Sequence, residues 1–200
     1  MKTIWNHLIL LFLGIFFCFY GMAVAGEPTE ALQIPVENVL AILKDPKLSA
    51  PEAKTLQQEK ISTVTQNIFD YTEMSKRALA QNWKNFTPTQ RQSFAEAFGK
   101  LLENNYTNKV QGGYKDEKVT FLSEEKLTET VARVKTKITG QSIDIPVDYS
   151  MFLVNGKWRI YDVNIEGVSL VMNYRNQFKG ILAKESPDQL IDRVRNKLTD

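Results

Sequence analysis

An α+β domain, with several helices facing a curved antiparallel sheet of four strands, is the fold class this sequence predicts. Three observations predict it. Apolar residues recur at helical spacing from Pro35 to Val110. The period then shortens to two between Val119 and Ile165, punctuated by Gly140 and Asn155-Gly156. Helical spacing returns from Val168 to Leu198. Consecutive strands joined by short turns pair antiparallel and bury one face, and the flanking helices supply the layer that covers it.

The first 25 residues are set apart from the fold and read as a cleaved export signal, because they carry Lys2, an apolar run from Leu8 to Phe19 and the small-x-small triplet Ala23-Val24-Ala25. A lipidated cysteine is excluded at Cys18, whose neighbours are Phe17 and Phe19. Residues 26–200 are then one domain. The chain has 200 residues, 43% apolar and 24% charged, a globular balance. Its single His and single Cys are His7 and Cys18, both inside the signal. With Lys2 removed, the formal charge falls from +2 to +1, too small for nucleic-acid binding through bulk electrostatics.

Pro35 is expected to open the first helix, with Val36, Val39, Leu40 and Leu43 on one face and Asp45-Pro46 ending it. Ser49-Ala50-Pro51-Glu52 reads as a capping box for a helix carrying Leu56, Ile61, Val64 and Ile68. Asp70 caps a shorter piece towards Leu79 and Trp83. Thr87-Pro88-Thr89-Gln90 combines a cap, a first-turn proline and a box-closing Gln. It starts a helix that presents Phe94, Phe98, Leu101, Leu102 and Tyr106 and runs to about Val110 before Gly112-Gly113.

Strands are expected over Val119–Leu122, Val131–Thr139, Ile143–Leu153 and Lys157–Ile165. Ala132, Val134, Thr136 and Ile138 alternate with Arg133, Lys135 and Lys137. Ile143, Ile145, Val147, Tyr149, Met151 and Leu153 alternate with Asp144, Pro146, Asp148 and Ser150. Asn155-Gly156 is a two-residue hairpin signal, and Pro146 suits an edge or a bulge. Val168 to Leu182 reads as a helix with Leu170, Val171, Tyr174, Phe178 and Ile181 inward. Ser186-Pro187-Asp188-Gln189 caps the last helix, which carries Leu190, Ile191, Val194 and Leu198.

Without His or Cys after residue 25, the domain cannot form a Ser-His-Asp triad, a thiol nucleophile or a histidine metal site. No Gly-rich phosphate loop is present. Carboxylate chemistry remains open at Asp144, Asp148, Asp162 and Glu166, and needs one of them buried with a raised pKa. Arg133, Lys135 and Lys137 form a basic ladder, either a solvated sheet face or a docking stripe for an acidic surface. Large inward residues lie on every element, many of them aromatic (Phe69, Phe94, Phe98, Tyr106, Tyr149, Tyr174 and Phe178); by themselves they favour a packed core, although the wall of an apolar cavity uses the same residue types.

The chain resembles the MlaC family of periplasmic phospholipid-binding proteins, auxiliary components of toluene-tolerance ABC transport systems. The stretches that carry the resemblance are Phe69-Asp70-Tyr71-Thr72-Glu73-Met74-Ser75-Lys76-Arg77-Ala78-Leu79, Trp83 through Arg91, Phe94 through Tyr106, Trp158-Arg159-Ile160-Tyr161-Asp162-Val163, Glu166-Gly167-Val168-Ser169-Leu170, and Asn173-Tyr174-Arg175-Asn176-Gln177-Phe178. The resemblance implies an NTF2-like cone with an apolar cavity. It implies a monomeric periplasmic carrier in a Gram-negative bacterium, with phospholipid as ligand, no other cofactor, no metal and no catalysis. The implied partners are an inner-membrane MCE-domain protein of an ABC transporter and an outer-membrane lipoprotein–porin complex. Facing arguments within that architecture assign tail contacts to Phe94, Phe98, Leu101, Val134, Val147, Tyr149, Met151, Val163, Val171, Tyr174 and Phe178. Arg175 is expected to form an ion pair or to stand at the cavity mouth. The alternatives are a hopanoid-associated relative and an exported carboxylate-dependent hydrolase on a similar fold.

Overall fold

Pro28 sits in the first turn of helix α1 (Pro28–Lys44), where its missing N–H costs nothing. This computed structural model describes residues 27–141 and 144–197. The export signal, Ile143 and Leu198 lie outside the described residues. The expectation that Pro35 opens α1 is corrected, since Pro35 lies inside the helix. An internal proline removes one backbone bond and crowds the preceding turn. Tertiary anchoring outweighs that cost. Glu124 accepts hydrogen bonds from the Thr29 amide (2.9 Å) and the Thr29 hydroxyl (2.7 Å). Leu32, 1% exposed, packs on the sheet.

Ser49 does not close a box with Glu52. Its hydroxyl donates instead to the Asp45 carbonyl (3.0 Å), which also accepts from the Leu48 and Ser49 amides. A 3-10 turn (Pro51–Ala53) intervenes before α2 (Lys54–Ile68). In α3 (Tyr71–Leu79) the Asp70 carboxylate caps the Glu73 amide at 2.8 Å, as its position predicts. A second 3-10 run (Ala80–Asn85) leads to α4 (Pro88–Gly113), where both halves of the Thr87–Gln90 box are made.

The sheet has five strands in sequential antiparallel order, not four: β1 (Lys118–Thr128), β2 (Val131–Thr139), β3 (Asp144–Val154), β4 (Lys157–Ile165) and the two-residue β5 (Val168–Ser169). β1 outruns its predicted four residues because its pairing with β2 extends to Thr128. One bulge leaves Leu122 unpaired on β1, and another leaves Tyr161 unpaired on β4. The second bulge lets Ile160 and Val163, three residues apart, both face inward. Asn155 (φ 50°) and Gly156 (φ 72°) form the positive-φ hairpin turn.

Pro146 lies in β3 just beyond the β3–β4 ladder, which begins at Val147, so the strand is locally an edge there, as expected. It opposes Lys137 on β2, and its carbonyl accepts from the Glu166 amide (3.0 Å) where β4 turns away. Glu166 (φ 52°) and Gly167 (φ 85°) make that turn and feed β5. Consequently α5 (Leu170–Leu182) starts two residues later than predicted, with Ser169 capping the Met172 amide at 3.1 Å. α6 (Pro187–Asn196) carries the predicted Ser186–Gln189 box.

Two apolar clusters result. One lies among α3, α4, α5 and α6. The other lies between the inner face of the sheet and residues Leu32, Ile68 and Leu170. Phe69 and Tyr106 pack against both and mark the seam.

Candidate functional site

α4 places Phe94, Phe98 and Leu101 on one stripe because these residues recur at three- and four-residue spacing. α5 does the same for Val171, Tyr174 and Phe178. All six are buried in the helical cluster. Phe94 meets Phe178 edge-on at 5.3 Å, Phe98 meets Phe178 edge-on at 5.3 Å, and Phe98 meets Tyr174 edge-on at 4.9 Å. These are favoured aromatic geometries.

Asp162 aims α5 at this cluster. One carboxylate oxygen accepts from the Val171 amide (3.0 Å) and the other from the Ser169 hydroxyl (2.5 Å). A carboxylate at a helix N-terminus also complements the helix dipole.

Val134, Val147, Met151 and Val163 are buried on the inner face of the sheet, and Tyr149 packs against them. Thr136 is buried among these residues, but its hydroxyl donates to the Val147 carbonyl at 2.9 Å and is not stranded. Tyr149 is partly exposed as a residue. Burial of its hydroxyl nevertheless pushes the pKa up to about 12. Burial and the neighbouring Tyr174 raise the pKa of Tyr106 at the seam.

The eleven residues singled out from sequence thus divide between two clusters. Sequence reasoning missed the α1 residue Leu32 and the sheet residue Ile160, and it read the seam residues Phe69 and Tyr106 as inward without assigning them tail contacts. Leu32, Val36 and Leu43 share one helical face, a signal that Pro35 concealed.

The other candidates have structural partners. Asp144 pairs with Lys137 at 2.8 Å, and Glu125 lies 3.7 Å from Arg133. Asp148 opposes Lys135 in the sheet register. The basic ladder is therefore answered by acids on the strands beside it. Arg175 forms no predicted ion pair; its Nε donates to the Arg77 carbonyl at 2.9 Å. The Arg77 guanidinium in turn lies 3.8 Å from the centre of the Tyr161 ring.

Two polar clefts open on the surface. One, of about 240 Å³, is lined by Leu101, Asn105, Asn173, Tyr174, Gln177 and Lys197. The other, of about 360 Å³, lies between α2 and α4 and includes Glu59 and Glu103. Asp144, Asp148 and Asp162 line neither. Among the described residues, no group of three His, Cys, Asp or Glu side chains could hold a metal ion. No described helix is long and apolar enough to cross a membrane.

An antiparallel sheet facing helices across buried apolar layers defines an α+β protein. The chain belongs to the MlaC protein family, whose model matches residues 34–196. It is 25% identical over 123 residues to the intermembrane phospholipid transport system binding protein MlaC of Haemophilus influenzae, covering 59% of this chain and 57% of that protein. It is 23% identical over 166 residues to the toluene tolerance protein ttg2D of Pseudomonas putida, covering 82% of this chain and 77% of that protein. The fold matches that of a phospholipid-binding protein from Ralstonia solanacearum, solved in complex with a phospholipid. That match has a TM-score of 0.76 and 22% identity, and covers 88% of this chain and all of the other.

Proposed function

We propose that this protein is a periplasmic carrier, exported by its first 25 residues, that holds phospholipid acyl tails between its helical cluster and its sheet. In this reading it moves lipid between an outer-membrane lipoprotein–porin complex and an inner-membrane ABC transporter bearing an MCE-domain protein. The observation that carries the reading is the interior itself. Two buried apolar clusters meet at Phe69 and Tyr106, side chains that are only partly buried and touch both sides. Parting the clusters beside that seam exposes apolar wall on each face, against which acyl chains can pack.

A lipid crossing water exposes its tails at about 0.8 kcal/mol per methylene. Some thirty methylenes in two tails put the unaided barrier at roughly 20 kcal/mol or more. An interior about as apolar as the bilayer removes most of that barrier, and transfer then needs no catalytic group. The phospholipid named for the Haemophilus and Ralstonia proteins supports the same ligand class here.

The test is mass spectrometry of organic extracts of the purified protein. Co-extracted phospholipid in near-stoichiometric amount is expected. Protein that stays lipid-free after incubation with liposomes overturns the reading.

A further inference from the structure

We propose that the cleft of about 240 Å³ between α4, α5 and the end of α6 binds phosphate, either the phosphodiester of a lipid headgroup or the free ion. The inference rests on the carrier reading above and assigns it a polar subsite.

The chemistry of the lining points to an anion. Asn105, Asn173 and Gln177 supply carboxamide N–H groups, Lys197 supplies an ammonium and Tyr174 a phenol, with no carboxylate among the lining residues. The larger cleft, between α2 and α4, contains Glu59 and Glu103 and would repel the same ligand. The arginines of α6 are engaged nearby, Arg193 with Glu185 at 2.6 Å and Arg195 with Asp192 at 3.6 Å. Lys197 makes no ion pair with a described residue.

Tyr174 joins the cleft to the apolar interior. Its ring packs on Phe98 and Phe178, and the residue is 9% exposed. Its hydroxyl accepts from Asn105 Nδ2 at 3.4 Å, which leaves its own proton free to donate. Leu101, 2% exposed, lines the same cleft from the core side. Polarity thus changes from aromatic core to amide-lined cleft across one side chain. A phospholipid changes in the same order, from tails to phosphate. A lipid whose tails enter the seam beside Tyr106 would meet these donors with its phosphate.

Competitive uptake tests this. Purified, delipidated protein is offered vesicles containing phosphatidylglycerol and diacylglycerol with identical tails. The native protein is expected to enrich the phospholipid. Lys197→Gln and Asn105→Ala should each lower that enrichment by roughly threefold to tenfold, the worth of one hydrogen bond, charge-assisted in the lysine case. Lys197→Arg should retain it. Both lipids loading with the native enrichment in Lys197→Gln and Asn105→Ala overturns the headgroup as the cleft's ligand and leaves the carrier reading standing. Neither lipid loading into the native protein overturns the carrier reading, and the cleft assignment with it. The side-chain amide NMR signals of Asn105 and Gln177 separate the two sources. Movement on adding millimolar inorganic phosphate to lipid-free protein identifies the free ion. Movement only on loading phosphatidylglycerol identifies the headgroup. Movement with neither overturns the assignment.

Discussion

The ring of Phe98 on α4 meets that of Tyr174 on α5 edge to face, 4.9 Å between centroids at 75°. Phe98 also meets Phe178 at 5.3 Å and Phe94 at 5.6 Å, and is itself 0% exposed. It is the hub through which α4 and α5 share one aromatic layer. Phe98→Ala should therefore cost about 3–5 kcal/mol, the transfer term plus the cavity left behind. Urea denaturation monitored by circular dichroism measures this as a lower midpoint. A cost below about 1 kcal/mol would show that the layer collapses freely around the gap.

Gly99 is one residue further along α4. A Cβ placed there would stand 3.0 Å from Cγ of the Tyr71 ring. That ring is stacked on Phe69 at 5.8 Å and 6°. Alanine gains about 1 kcal/mol in helix propensity over glycine. Overpacking a held ring costs about 1–3 kcal/mol. The second effect should win, so Gly99→Ala lowers stability, whereas Gly112→Ala, with open space around it, should not. Parallel thermal melts of the two variants decide the point.

Ala80 ends α3 at φ 49° and ψ −121°, a region that L-residues with a Cβ rarely adopt. Such strain costs of order 1–3 kcal/mol. Glycine removes the clash but loses more conformational entropy on folding, about 0.5–1 kcal/mol. Ala80→Gly is expected to raise the denaturation midpoint slightly with an unchanged slope. A lower midpoint would contradict the strain argument.

Glu124 on β1 holds the start of α1 through both Thr29 bonds. Glu124→Ala removes a charge-assisted cap worth about 0.5–2 kcal/mol. The loss should be local. Amide hydrogen exchange is expected to accelerate in the first turns of α1 while α4 keeps its protection.

Tyr149 gives a pH signature. Burial raises its pKa from 10.0 to about 12, so the unfolded chain loses this proton first as pH rises. Folding stability from this group is complete below pH 10 and declines as pH climbs towards 12. Tyr149→Phe should flatten the fall in stability between these limits, although Tyr106, raised by the same cause, retains its share. Chemical denaturation of both proteins at stepped alkaline pH measures the difference in slope.

Much of the local structure was legible because its determinants are adjacent in the chain. The boxes at Thr87–Gln90 and Ser186–Gln189, the Asp70 cap and the Asn155-Gly156 turn each need only a few consecutive residues. The inward stripes of α4 and α5 followed from spacing for the same reason. The failures share a different cause. α1 begins at Pro28 because Glu124, distant in sequence, caps it and the sheet buries Leu32. Ser49 turns back to the Asp45 carbonyl at the end of α1, where the chain doubles back in a turn that residue type alone does not announce. β5 exists because Glu166 accepts a positive φ that residue type alone does not announce.

Residue order by itself determined the fold class, the helix starts marked by caps, the inward faces of α4, α5 and β2 to β4, and the lack of imidazole and thiol after residue 25. Tertiary structure decided how those faces are shared. Periodicity reports that a residue turns inward, but it carries no label for the layer it meets, since burial depends on which surfaces come together. Only the packed molecule divides the apolar residues into a helical cluster and a sheet cluster, sets Phe69 and Tyr106 on the seam between them, and brings Asn105, Gln177 and Lys197 to one cleft beside Tyr174.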